Sequence, residues 1–168
     1  KETSSMFETI EKSIKFLDNK KNFFILSCDC FGNFNYRYFN KFIKDENPDI
    51  ILFPFKISDL QKTELNSHTT IQIFNNKLKS INVKKFLNNK NEFGHAGFYW
   101  VKNNKIFDYI EEFIFKMSFN REILLDDYFK FLFDEKIYKV NYFKLDEYIH
   151  IGSIKEYLEL KYWENYFK

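Results

Sequence analysis

Phe23-Phe24-Ile25-Leu26-Ser27-Cys28-Asp29-Cys30 is the stretch that decides the fold of this 168-residue chain. Four consecutive large apolar residues describe a strand buried on both faces, as in a sheet covered by helices on each side. The run then ends abruptly on one carboxylate between two thiols. Open α/β sheets bind ligands beyond the carboxyl ends of such strands. Asp29 therefore stands where a metal-phosphate site is built. A strand-end aspartate also serves simply to cap the following turn, and the run alone does not choose between the two.

Working outward, Thr3-Ser4-Ser5 with Glu8 reads as a capping box, and Met6, Phe7, Ile10, Ile14 and Leu17 recur at helical spacing. After the Asp29 loop and a Gly32-Asn33 turn, a helix is expected around Tyr36 to Lys44, ended by Asn47-Pro48. Ile50 to Phe55 forms a second almost wholly apolar strand. Thr70 to Phe74 and Leu78 to Lys84, joined by Asn75-Asn76, predict a hairpin that looks like an antiparallel insertion. Gly94 and Gly97 flank His95-Ala96 and suggest close backbone approach ahead of an extended Phe98 to Val101. Helical spacing returns from Ile106 to Ile114 and from Leu124 to Leu132. Lys139 to Leu145 alternates like a strand, and Ser153 with Glu156 opens a C-terminal helix. Helix and strand alternate throughout, so the class is α/β, and residues 1–168 make one domain without linker, repeat or low-complexity tract.

Composition narrows the function. Twenty-six basic against 24 acidic residues leave a formal charge of +2, which provides no electrostatic footprint for nucleic acid or an anionic membrane. Phe (23) and Tyr (11) are abundant but are not interleaved with basic residues as in a base-stacking surface, so they are read as core filling. No signal peptide or membrane-length apolar run occurs. The only cysteines, Cys28 and Cys30, lie two apart. On a continuous strand both point away from Asp29 and cannot share its metal, and reduced thiols in a cytoplasmic protein are expected.

Five segments taken in order resemble the sugar nucleotidyltransferases (NDP-sugar pyrophosphorylases): Thr3 to Ile10, Phe23 to Cys30, Val83-Lys84-Lys85, Gly94 to Tyr99, and Glu122 through Asp127 with Ile149-His150-Ile151-Gly152-Ser153 closing the chain. The resemblance is to the family's middle and C-terminal parts. It implies a Rossmann-like (GT-A-like) mixed sheet flanked by helices, N-terminally incomplete, with the first strand and its glycine-rich nucleotide loop having no counterpart here. It also implies transfer of a nucleotidyl group from a nucleoside triphosphate to a sugar phosphate with release of pyrophosphate, in precursor synthesis for capsule, lipopolysaccharide or a similar surface glycan. By the same resemblance, Asp29 holds Mg²⁺ and Lys85 contacts the sugar-bound phosphate, with its neighbour Lys84 able to take the same role. Glu122 grips sugar hydroxyls. His95 is read from its own flanks: Gly94 and Gly97 would let a sugar approach the backbone beside it, and a packing or hydrogen-bonding histidine is the alternative. The oligomeric state, a homo-oligomer included, is left open.

The chain departs from the family at both candidate ends. Lys85 is flanked by Lys84 and Phe86 rather than by glutamate and proline, and a solvated strand-end lysine is the alternative. Relatives place an aspartate two residues before the last glycine as second metal ligand, and here that residue is His150. Imidazole is a poor magnesium ligand. Either Asp146 or Glu147 replaces it through a shifted strand, or Asp29 and phosphates hold the metal alone, or the site has decayed. Asp126 and Asp127 are read as helix-capping acids. Two other functions stand beside the enzyme: a non-catalytic binding or regulatory module of the same fold, and a glycosyltransferase of similar topology. The latter typically carries Asp-x-Asp, whereas Ser27 and Phe31 occupy the flanking positions here. Without an opening strand, the sheet should expose hydrogen-bonding edges and apolar surface.

Overall fold

The computed structural model describes residues 3, 5–57, 68–117 and 121–168. In chain order the elements are α1 (Met6–Ser13), β1 (Phe23–Leu26), β2 (Cys30–Asn33), α2 (Tyr36–Glu46), β3 (Ile50–Phe55), β4 (Thr70–Phe74), β5 (Lys77–Asn82), β6 (Glu92–Val101), α3 (Ile110–Lys116), α4 (Leu125–Asp134), β7 (Val140–Tyr142), β8 (Glu147–His150) and α5 (Ile154–Tyr166). The main sheet is mixed and runs β5-β4-β6-β3-β7; β3 and β7 pair in parallel and the remaining pairs are antiparallel. β2 and β8 form a separate two-stranded ribbon.

Period-two alternation in β3 and β6 divides the interior into two cores. Ile50 and Leu52 of β3 with Tyr99 and Val101 of β6 pack under α1, α3 and α4, against Phe7, Phe113, Tyr128 and Phe129. Ile51, Phe53 and Phe55 with Ala96, Phe98 and Trp100 face Phe39 of α2 and Leu145. Both faces of β3 are covered, which is why its six residues are all buried. The aromatic abundance thus fills both cores, at about 1.5–3 kcal/mol for each Phe fully withdrawn from water. α5 departs from that pattern: none of its side chains is buried, and Tyr162, Trp163 and Tyr166 face solvent.

Most local signals act as the sequence implies, although Gly32-Asn33, expected as a turn, forms the end of β2 because it pairs with Tyr148 and Glu147 of β8. Ser5 Oγ accepts from the Glu8 amide at 3.1 Å, and Asn35 caps α2 from its Oδ1. α2 ends on Asn47 in the left-handed region (φ 44°), followed by Pro48. Asn75 and Asn76 both have positive φ (49° and 55°), the geometry of a type I′ turn. Their hairpin is no insertion, however, because β4 pairs with β6 and extends the main sheet. Of the alternating Lys139 to Leu145, Val140–Tyr142 forms β7, and the Phe143 and Leu145 amides continue alongside β3 by donating to the Leu52 and Pro54 carbonyls at 2.9 Å.

β1 corrects the opening expectation. Its partner is β6, and among the described residues its other edge is unpaired, with Phe24 and Leu26 41% and 56% exposed. Edges of this kind template association. The isolated 168-residue chain is therefore expected to self-associate on concentration, as followed by light scattering; a monomer that melts in one sharp cooperative transition contradicts this.

β6 also explains where a site can form. β3 pairs with residues at both ends of β6, so β1 (opposite Phe98–Val101) and β4 (opposite Glu92–Gly94) must share its other side, end to end. Between them, among the described residues, β6 has no strand partner on that side at Ala96 and Gly97, a notch in the pairing that lies beside the end of β1 and the start of β4. Gly97 has φ +69°, and a Cβ there would stand 3.4 Å from Ser27 Cβ. Gly94 lies at the far rim. A Cβ at this position would meet the Phe55 ring at 2.3 Å, and that ring is stacked on Tyr148 at 3.9 Å. Gly94→Ala should accordingly cost about 1–3 kcal/mol by overpacking, read from chemical denaturation; an unchanged midpoint would show that the ring can give way.

Candidate functional site

The strand leaving the sheet at Leu26 does not continue to Cys30. A turn at Ser27 to Asp29 intervenes, and Cys30 begins the new strand β2. Alternation is broken there, and this overturns the expectation that Cys30 faces away from Asp29: its Sγ lies 3.3 Å from Asp29 Oδ1. The Ser27 hydroxyl also donates to Asp29 Oδ1. The ribbon then brings the far end of the chain to the same place. Cys30 stands opposite His150 in the β2–β8 register, and the Ile151 amide donates to the Asp29 carbonyl at 2.7 Å. His150 Nε2 is 3.6 Å from Asp29 Oδ2, while Nδ1 is 2.9 Å from Glu156 Oε1.

Glu156 is fixed in turn. Ser153 caps α5, accepting from the Glu156 amide at 3.2 Å and donating to Glu156 Oε2 at 2.8 Å. The Tyr148 hydroxyl is 3.3 Å from Cys30 Sγ, and the ring of His68 stands edge-on to that of His150 at 5.5 Å. Gly152 packs against the imidazole so closely that a Cβ would lie 2.6 Å from Nε2. The hydroxyl of Ser27 holds the Asp29 carboxyl below its ordinary value, against the opposing effect of burial and with help from Cys30 and His150. Burial, then the neighbouring Asp29, push the Cys30 thiol up to about 11, with Tyr148 acting in the other direction.

Asp29, Cys30 and His150 thus present one donor each, all within 4.8 Å of one another. This set does not fit the magnesium expected at Asp29. Magnesium takes oxygen ligands in near-octahedral array, and two of these three donors are a sulfur and an imidazole nitrogen.

The remaining candidates fall in different places. Lys84 and Lys85 are exposed just beyond β5. The Lys85 carbonyl accepts from Thr70 Oγ1 at 2.8 Å, which anchors the lysine's backbone to the first residue of β4, at the far rim of the notch. Gly97 lies in the gap between β1 and β4. Glu122 is exposed ahead of α4. Asp146 cannot assist Asp29: its amide is bonded to the Asn33 carbonyl at the opposite end of the ribbon, four strand residues or about 13 Å from His150. Glu147, paired with Asn33, is likewise at that end.

His95 is a second correction. It is buried, with Nδ1 3.0 Å from Asp126 Oδ1 and Nε2 3.2 Å from the Phe98 carbonyl, so its ring is committed to the interior and borders no sugar. Asp126 completes this network by accepting from Tyr99 at 2.6 Å and Thr69 at 2.7 Å. Its carboxylate is thus turned to this interior network rather than to the cap of α4. Asp127 does cap the helix, accepting from the Leu124 amide at 2.9 Å while pairing with Arg121.

Cys30, Glu156 and Gly152 were not legible as site residues. The available signal was the spacing of His150 from the Ser153–Glu156 cap, since a capping glutamate turns back toward the chain that precedes its helix.

No protein-family model matches the sequence, and no curated protein is significantly similar to it. Solved structures do match. One assigned as a glucose-1-phosphate thymidylyltransferase from Bacillus anthracis superposes with a TM-score of 0.72 over 94% of this chain and 61% of its own, at 15% identity. Apo UDP-glucose pyrophosphorylase gives 0.71 over 98% of this chain and 62% of its own, at 16% identity. A nucleoside-diphosphate-sugar pyrophosphorylase from Vibrio cholerae gives 0.62 over 91% and 60%, at 15% identity. The chain spans about three-fifths of the length of these structures, and at such identities the likeness is one of fold: a Rossmann-like mixed sheet flanked by helices, as expected from the sequence.

Proposed function

We propose that the full-length protein transfers a nucleotidyl group from a nucleoside triphosphate to a sugar phosphate, releasing pyrophosphate, in the cytoplasmic supply of activated sugars for a capsule, lipopolysaccharide or similar surface glycan. The observation that carries this reading is the notch between β1 and β4, where Asp29 and His150 converge on one rim and the Lys85 backbone is tied to the other. A sugar-phosphate oxygen would attack the α-phosphorus in line as the bond to the β-phosphate oxygen breaks, so two anions must meet and the developing charge must be countered. Lys85, with Lys84 beside it, supplies positive charge from the far rim. Gly97 lets a substrate approach the backbone, and Glu122 offers a carboxylate to hydroxyls. No helix is long and apolar enough to cross a membrane among the described residues.

A second reading, a binding module without chemistry, is favoured by one feature. The Asp29 carboxylate is already engaged by Ser27 and Cys30. Isothermal titration of the full-length protein with a panel of sugar phosphates and nucleoside triphosphates separates the two. Saturable binding of one member of each class, weakened about tenfold or more for the sugar phosphate by Lys85→Ala, supports transfer; binding of neither class supports the module.

A further inference from the structure

We propose that Asp29, Cys30 and His150 form a site for a late first-row divalent metal, zinc or cobalt in type, in place of magnesium. The geometry carries this. Metal bonds of about 2.0–2.3 Å set the ligand atoms of a tetrahedral site about 3.3–3.8 Å apart. Cys30 Sγ lies 3.3 Å from Asp29 Oδ1 and His150 Nε2 lies 3.6 Å from Oδ2, the other oxygen of the same carboxylate, and one donor atom from each of the three residues lies within 4.8 Å of the other two, so a small turn of the carboxylate brings a single oxygen into reach of both. One carboxylate, one thiolate and one imidazole are the donors these ions take, and three protein ligands leave a fourth position open, the arrangement of a catalytic rather than a structural centre.

Independent contacts hold the ligands in place. The β2–β8 register sets Cys30 across from His150, the Ile151 amide ties the two segments, and Gly152 leaves room for the imidazole where any Cβ would displace it. Glu156 accepts from Nδ1–H of His150, which turns the Nε2 lone pair toward Asp29 and Cys30. A carboxylate behind a ligating histidine is the usual way such a ring is oriented and made more basic. Glu156 is fixed by Ser153, so the support extends to the first turn of α5. The ion's part in catalysis rests on the nucleotidyl-transfer reading; its binding does not.

The test is a Co²⁺ titration of the tag-free full-length protein under anaerobic conditions, with no nucleotide or sugar present. One Co²⁺ per chain is expected, with a near-ultraviolet thiolate-to-cobalt charge-transfer band and the intense visible bands of a four-coordinate ion. Cys30→Ser should abolish the charge-transfer band. Glu156→Gln, which leaves all three ligands and the fold in place, should weaken Co²⁺ binding about 10–100-fold. Gly152→Ala, by displacing the ring, should weaken it as well. Zn²⁺ should displace the cobalt stoichiometrically, and millimolar Mg²⁺ should not. Absence of the charge-transfer band, or a band unchanged in Cys30→Ser, overturns the proposal, as does Co²⁺ affinity unchanged in Glu156→Gln. Turnover with Mg²⁺ in a protein that shows no such band would reject the metal and leave the transfer reading standing. A Co²⁺ site in a protein that transfers no nucleotidyl group would do the reverse.

Discussion

Asp126→Ala is expected to lower the unfolding free energy by about 3 kcal/mol, which for a domain of this size is a fall of about 6–12 °C in Tm. Asp126 is the acceptor on which three interior donors converge: the His95 ring, the Tyr99 hydroxyl and the Thr69 hydroxyl. Removing it leaves the His95 ring, 1% exposed, and two hydroxyls without their acceptor. Losing one partner of a buried pair typically costs about 3–5 kcal/mol; the lower end applies because Asp126 keeps 17% of its own side-chain exposure. The network also sets a pH dependence. Burial opposes ionisation of Asp126, but the His95 charge and ring N–H, followed by Tyr99 and Thr69, outweigh it and hold the carboxyl below its ordinary value. A depressed folded-state value stabilises the native protein at pH above the unfolded carboxyl's value of about 3.9, and that contribution is lost as the pH falls through the folded one. Asp126→Ala should therefore flatten the acid limb of the stability curve. Urea midpoints measured across pH 3 to 7 check both statements; a variant as stable as wild type throughout would mean that the His95–Asp126 pair contributes nothing net.

The sequence made the elements legible where a residue's local chemistry coincided with its tertiary role. Ser5, Asn47-Pro48, Asn75-Asn76 and Ser153 sit at the caps and turns they announce, and the apolar run Ile50 to Phe55 is the buried central strand. The run Phe23 to Leu26 misled in part. Four apolar residues report a strand but cannot report how many neighbours it has, and among the described residues β1 has one. At Cys30 the error was geometric, because period-two alternation holds only while the strand continues, and a turn at Ser27 to Asp29 resets it. His95 was misread for a related reason. Its flanking glycines admit close approach, but what approaches at Gly94 is Phe55, and Asp126 takes the imidazole from the other side. The Asp29–His150 pairing joins strands from opposite ends of the chain, and only ribbon register, a long-range property, brings them together.

Asp29→Ala should cut nucleotidyl transfer at least about a hundredfold, equivalent to about 2.7 kcal/mol of transition-state stabilisation. Asp29 is the carboxylate that follows β1, and it is shared by Ser27, Cys30 and His150. Its loss removes the charge that organises that site, while the sheet behind it, held by Ile25 and the β6 pairing, is untouched. The variant should therefore fold, and near-native far-ultraviolet circular dichroism is expected alongside the lost turnover.

The decisive measurement is pyrophosphate release by the full-length protein, supplied with a divalent metal, a nucleoside triphosphate and a sugar phosphate, for wild type and Asp29→Ala side by side. Metal-dependent release that needs both substrates and falls at least about a hundredfold in the variant is the predicted result. Release that is equally fast in Asp29→Ala would remove this carboxylate from the chemistry, and no release from the wild type with any substrate pair would contradict nucleotidyl transfer altogether.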